Sequence, residues 1–273
     1  GTILNALANG YGSAFAIDEY IHAEVSLDSS DGVIGHIVDH PEADTSLVER
    51  CVELVLKRFD GPTGGRVETE SAVPMASGLK SSSAAANATV LATLAALGKS
   101  DAVSPTEAAR IGVRAARDAG VTATGAFDDA SASMLGGLTI TDNTSDTLLE
   151  RETIDWEVAV RIPPEQSFSA DADVERCSRI APMADLVKEL ALEGRYGEAM
   201  TVNGFAFAAA LEKPTSPMLE ALPTVTGVSL SGTGPSYVAV GSAEEMDQVA
   251  DTWDDRDGIL LRTTTQTGEA RIE

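Results

Sequence analysis

The rhythm of apolar and polar positions along this chain changes often enough to mark out its elements. Between residues 13 and 27, Ile21, Ala23, Val25 and Leu27 alternate with His22, Glu24 and Ser26. Successive side chains of an extended chain point to opposite faces, so this run predicts a half-exposed strand. Pro41 then predicts the opening of a helix on which Leu47, Cys51, Leu54, Val55 and Phe59 share one face. A second alternating run over 67–73 reads as a strand that stops at Pro74. Ser81 opens an Ala-rich helix that reaches Gly98, and its small residues between 84 and 96 predict a close-packed central position. Ser104, Pro105, Thr106 and Glu107 form a capping-box sequence, with proline at the first helical position. That helix runs to Ala119, and Gly120 stops it. Residues 121–129 read as a loop, and Gly136-Gly137 breaks the chain before a strand over 138–141.

Residues 142–153 are polar and predict an exposed connection, dividing the chain into units 1–150 and 151–273. The second unit reads as a strand over 156–162, helices near 178–193 and 195–212, and a strand over 225–231. A Gly-Thr-Gly-Pro turn, a strand over 236–241, an acidic helix over 244–254 and a last strand over 258–264 follow. Strands and helices without regular βα alternation favour an α+β class over a doubly wound sheet.

Composition narrows the partners. With 273 residues and 43% apolar content, the chain can bury a sizeable core as one large or two ordinary domains. A formal charge of −24 argues against nucleic acid, whose phosphates it would repel. Forty-three acidic residues face nineteen basic ones, only five of them lysines, and the acids are spread along the whole chain. That pattern resembles proteins of salt-loving microbes, in which molar salt screens the self-repulsion. Cys51 and Cys177 lie far apart and neither belongs to a C-x-x-C pair, which speaks against disulfide and zinc frameworks. Cys51, on the apolar face of its helix, reads as a core residue. No apolar run approaches eighteen residues and no signal peptide is visible, so a soluble, cytoplasmic protein without a membrane partner is expected. A homo-oligomer stays open.

The chemistry concentrates in three segments. The first is Pro74-Met75-Ala76-Ser77-Gly78-Leu79-Lys80-Ser81-Ser82-Ser83-Ala84-Ala85-Ala86. A strand, a Gly/Ser loop and a helix N-terminus present unpaired N–H groups and the positive end of a helix dipole, which together suit phosphate. A tight turn capped by serines is the plainer alternative. No Walker A sequence occurs in the chain. The second segment, Ser229-Leu230-Ser231-Gly232-Thr233-Gly234-Pro235-Ser236, lies between two strands and by itself is a turn. The third is Thr124-Gly125-Ala126-Phe127-Asp128-Asp129-Ala130-Ser131-Ala132-Ser133, whose paired carboxylates either cap a turn or handle a proton. His36 and His40 are four apart, but Pro41 prevents one helix from spanning both, which weakens a metal reading.

The first segment resembles the P-x-x-x-G-L-x-S-S-x-A phosphate loop of the GHMP kinase superfamily, whose members phosphorylate small alcohols with ATP. The resemblance implies a two-part fold, with a ribosomal-protein-like N-terminal half and a ferredoxin-like C-terminal half. It implies that residues 74, 76–84, 232, 233 and 234 surround ATP, the last three being Gly232, Thr233 and Gly234 of a C-terminal glycine motif beside the phosphate loop. It further implies that Ser82, with Ser81 next, supplies a hydroxyl to Mg2+, and that one aspartate acts as base or orients the acceptor. Counting back from Gly136-Gly137 places Asp129 there, and counting forward from Gly125 places Asp128. Lys80 stands where other members commonly have glycine, and would steady the phosphoryl group or an incoming acid. Within the superfamily, the chain resembles the archaeal branch whose acceptor is shikimate. Gly1-Thr2-Ile3-Leu4-Asn5-Ala6 with Gly12-Ser13-Ala14-Phe15-Ala16-Ile17-Asp18, the loop from Ser77 to Asn87, and Gly125-Ala126-Phe127-Asp128-Asp129-Ala130 carry that likeness. It implies a strand ahead of Gly1. Homoserine or mevalonate as acceptor, or a silent sensor on the same fold, are the alternatives. Arg66, Arg110 and Arg114 are candidates for an acceptor carboxylate, or plain surface arginines.

The charge makes a direct prediction. At about 0.1 M salt the Debye length is about 10 Å, which leaves much of the repulsion among the acids unscreened. Thermal unfolding should therefore move to higher temperature as potassium chloride rises from sub-molar to molar. A midpoint that stays flat or falls over that range would contradict this reading.

Overall fold

A computed structural model describes residues 1–165, 167 and 171–273. The first part holds two sheets. Strands β1 (Thr2–Leu4), β2 (Tyr11–Phe15), β6 (Leu138–Asp142) and β7 (Thr147–Glu152) pair antiparallel in the order β1-β2-β6-β7. Strands β3 (Ile21–Asp28), β4 (Gly32–Ile37) and β5 (Gly64–Ser71) take the order β3-β5-β4, with β4 parallel to β5. The crossover between the parallel pair carries α1 (Ser46–Arg58). Helices α2 (Ser81–Ala96), α3 (Pro105–Asp118) and α4 (Phe127–Leu135) complete this part.

The second part runs β8 (Glu157–Ile162), α5 (Val174–Ser178), α6 (Ala181–Leu192), α7 (Tyr196–Ala210), α8 (Ser216–Ala221), β9 (Gly227–Leu230), β10 (Tyr237–Gly241), α9 (Ala243–Trp253) and β11 (Ile259–Thr264). Its sheet is antiparallel in the order β11-β8-β10-β9, the ferredoxin-like arrangement. The α+β class holds.

Local chemistry explains where elements start. The alternation predicted over 21–27 is borne out in β3: its apolar residues are half-buried and its polar ones exposed. The run does not reach back unbroken to residue 13, because β2 ends at Phe15. Pro41 does not open α1. Residues 37–43 make turns, Asp44 accepts from the Ser46 amide at 2.8 Å, and the helix starts only there. Ser104 caps α3 by accepting from the Glu107 amide at 3.3 Å. The loop expected over 121–129 ends at Ala126, because α4 follows. Phe127, Ala130, Met134 and Leu135 recur at helical spacing, and burial of that face holds the short helix. The polar stretch 142–153 contains β7, an edge strand that leaves most of its side chains in water.

One core cluster joins the parts: Leu4, Phe15, Leu138 and Ile140 pack with Val158, Val160, Val187 and Met200. A second lies among the helices, where Val90 and Leu94 of α2 meet Leu54, Ala109 and Phe127. The central position predicted for α2 holds, against α1, α3, α4 and β3, but the close packing does not: Ala84, Ala88, Ala92, Ala95 and Ala96 line a cavity. After β11 the chain returns to the first part, where Gln266 N–H donates to Ala16 O at 3.0 Å and Gly137 N–H donates to Gln266 O at 2.7 Å. Both cysteines are free and buried, and burial pushes the Cys51 thiol up to about 12. Among the described residues no helix is long and apolar enough to cross a membrane. His36 pairs with Glu68 at 3.1 Å, and no cluster of three metal-binding side chains occurs among the described residues.

Candidate active site

Past Ser71 the chain turns through residues 72–80 into α2, with Ala76, Gly78 and Lys80 all in the left-handed region, at φ 55°, 82° and 68°. Lys80 is the N-cap residue of α2, so Ser81, Ser82 and Ser83 form its first turn. Their amides find no acceptor among the described residues. Three free N–H groups at the positive end of a sixteen-residue helix make an anion site. Ser82 is exposed, and Ser81, Ser83 and Ala84 are half-buried. Pro74 stays on the surface, and Leu79 packs against the core that joins the two parts.

The second glycine loop lies directly against the first. A Cβ on Gly78 would fall 2.6 Å from Ser231 O and 2.8 Å from Gly234 O, so only glycine permits this approach, and its positive φ adds to the demand. Ser231 Oγ donates to Gly78 O at 2.9 Å, and the Ser236 amide donates to Ser77 O at 3.3 Å. The start of the chain holds the loop from behind. Gly232 N–H donates to Thr2 Oγ1 and Asn5 Nδ2 donates to Gly232 O, both at 2.9 Å. Asn203 Oδ1 in turn accepts from the Asn5 amide at 2.9 Å. Thr233 is buried at the tip of the loop.

Lys80 crosses from the first loop towards α4, and its Nζ lies 2.9 Å from Asp129 Oδ1. The two side chains are only 14% and 13% exposed. Both line a cavity of about 820 Å³, together with Tyr20, Asn87, Ser133 and Gln266. The structure separates the paired carboxylates that the sequence left equivalent. Asp128 is buried, bonded at 2.7 Å to Asn143 Nδ2, and does not line the cavity. Burial first, and then repulsion from Asp129, push its carboxyl up to about 7.

Several residues at the site escaped the sequence reading as individuals. Thr2, Asn5 and Asn203 support the second loop. Asn87 donates to Ala130 O at 2.8 Å and to Ser133 Oγ at 2.7 Å, tying α2 to α4. Asparagines amid small apolar residues were the available signal, since buried amides must be satisfied. The three arginine candidates do not line the cavity: Arg110 donates to Asp146 O and covers the Phe127 ring, and Arg66 and Arg114 point to solvent.

The raised Asp128 carboxyl has a consequence for stability. Its folded value lies above the ordinary 3.8, so the unfolded chain loses this proton first as pH rises. The group therefore costs no stability below about pH 4 and an increasing amount towards pH 7. Asp128→Asn carries no ionisable proton. Its unfolding free energy in urea at molar salt should gain on the wild type between those pH values, and a pH-independent difference would contradict the assignment.

Residues 46–137 match the family described as the GHMP kinases N terminal domain. The shikimate kinase of Halobacterium salinarum is 60% identical over 99% of this chain and 96% of its own length. That of Methanothrix thermoacetophila is 50% identical over 99% and 93%. The crystal structure of Methanococcus jannaschii mevalonate kinase has a TM-score of 0.77 at 16% identity and covers 97% of this chain and 95% of its own. Lactococcus lactis galactokinase, complexed with galactose, has a TM-score of 0.72 at 13% identity over 99% and 92%. At those identities the structural likeness shows the fold. The relatives, matched almost end to end, add the branch: this chain belongs to the GHMP kinases, in the family of archaeal shikimate kinases.

Proposed function

We propose that this protein transfers the γ-phosphate of ATP to the 3-hydroxyl of shikimate, a step of aromatic amino-acid biosynthesis, and does so in the cytoplasm. The observation that carries the mechanism is the Lys80–Asp129 pair, which stands between an anion-binding helix terminus and a cavity. In this reading the units 1–150 and 151–273 meet at the two glycine loops. The amides of Ser81, Ser82 and Ser83 take the phosphates, and residues 74–84 with Gly232, Thr233 and Gly234 wrap the nucleotide. The hydroxyl of Ser82, with Ser81 next, is a hard oxygen donor of the kind magnesium accepts. When bound, the ion would offset charge on the phosphates.

Phosphoryl transfer asks a protein mostly for position and charge. Asp129 faces the cavity, where its carboxylate orients the acceptor hydroxyl and takes its proton as the new P–O bond forms and the bond from the γ-phosphorus to the bridging oxygen breaks, releasing ADP. Lys80 sits beside it and opposes the negative charge on the transferring group. Asp128 is buried and does not reach the acceptor in this arrangement, so the structure favours the counting that puts Asp129 in the role.

The acceptor decides the matter. ADP release should be measured with shikimate, homoserine, mevalonate and galactose in turn, at molar salt. Turnover is expected with shikimate and essentially none with homoserine or mevalonate. Turnover on homoserine with shikimate inert would overturn the acceptor and leave the fold family standing.

A further inference from the structure

We propose that Asn143 is a positioning residue for the transfer step: it fixes the first turn of α4 so that Asp129 meets Lys80. This rests on the reading that Asp129 acts on the acceptor hydroxyl. Helix α4 is nine residues long, and so short a helix has little stability of its own. Its N-cap residue, Ala126, has no side-chain acceptor to offer the first-turn amides. Asn143, the first residue of the β6–β7 turn, supplies one from outside the helix. Its Oδ1 accepts from the Asp128 amide at 3.2 Å and from Thr141 Oγ1 at 2.7 Å. A backbone N–H can only donate, so the Asp128 amide settles which way the Asn143 side chain faces, and Nδ2 is the group that donates to Asp128 Oδ1 at 2.7 Å.

The three partners are all buried, at 2%, 5% and 0% exposure for Asn143, Asp128 and Thr141. The Asn143 backbone is itself anchored, with its N–H on Gly10 O at 2.9 Å and its carbonyl accepting from Arg117 at 3.1 Å. On its other side the Asp128 carboxyl presses on Gly12, where a Cβ would come within 2.5 Å of Asp128 Cγ. Successive helical residues point about 100° apart. With Asp128 locked inwards, Asp129 is turned to the cavity, where it pairs with Lys80. Asn143 does not line that cavity and acts only through Asp128.

The charged groups around Asp128 are Asp129 on its own helix and Lys80 from the start of α2. From the β2 and β6 side, Gly12, Thr141 and Asn143 add no charge. Replacing Asn143 with aspartate would thus set two carboxyls face to face, able to keep their hydrogen bond only by sharing one proton.

The test uses Asn143→Ala and Asn143→Asp in the full chain at molar salt. For Asn143→Ala, kcat should fall about 10- to 100-fold, the scale of a small misplacement, with KM for ATP within about 2-fold of wild type. For Asn143→Asp, kcat should recover several-fold from about pH 8 to about pH 6; the wild type, whose Asn143 amide donates to Asp128 whether or not that carboxyl is protonated, should show no such rise. Unchanged kcat in the alanine variant, or a wild-type pH profile in the aspartate variant, would overturn the proposal. Should the alanine variant fail to fold, the aspartate profile decides. Carboxyl 13C NMR gives a reading that needs no acceptor. In either folded variant the Asp129 resonance should move, and an unmoved one would overturn the proposal whichever alcohol is the substrate. A wild type inert towards shikimate would fault only the acceptor assignment.

Discussion

Everything at this site depends on one ion pair spanning the start of two helices. Lys80 is the N-cap residue of α2 and Asp129 lies in the first turn of α4, so their contact fixes one terminus against the other. Holding a non-glycine residue in the left-handed region costs on the order of 1–3 kcal/mol, and Lys80 is so held. The backbone keeps the conformation that glycine adopts freely, and the side chain adds a cation that glycine lacks. Removing either partner of a largely buried pair typically costs about 3–5 kcal/mol, because the other charge is left stranded. The pair is therefore a structural constraint on both helix starts.

Among the described residues that line the cavity, Lys80 and Arg271 stand beside Glu19, Glu24, Asp129, Glu269 and Glu273, so cations are scarce near that pair. A surface with net charge −24 repels ATP and a carboxylate acceptor alike at long range. In the proposed reading, attraction acts over a few ångströms, through the first-turn amides of α2 and Lys80. Molar salt would help twice, since it screens the acidic surface beyond a few ångströms while leaving buried pairs nearly untouched. An acidic exterior and the proposed phosphate site are compatible for that reason.

The sequence disclosed the parts with strong local chemistry. The α2 start at Ser81 was legible because a strand, a glycine loop and a serine run leave few other structures. The Ser104 cap and the alternation of β3 were legible for similar reasons. The helix α4 was not, although Phe127, Ala130, Met134 and Leu135 recur at helical spacing, because it is nine residues long and its N-cap residue, Ala126, offers no capping side chain. Missing that helix also left Asp128 and Asp129 indistinguishable, since their facing is set by helical phase. Asn143 escaped for a deeper reason: its role comes from β6 and β7 pairing, which brings it to a helix start fifteen residues earlier in the chain. Pro41 misled because proline permits a helix start without requiring one, and Asp44 and Thr45 supply the better boundary.

The central claim, that Lys80 and Asp129 act as one unit, is tested most directly by a double-mutant cycle on turnover. Lys80→Met, Asp129→Asn and the double variant would be compared under single-turnover conditions with saturating ATP and shikimate at molar salt. Each single change should lower the rate about 100-fold or more, and the double variant should be little worse than the weaker single one. Losses that simply multiply would contradict the account, because they would mean that the two groups act independently.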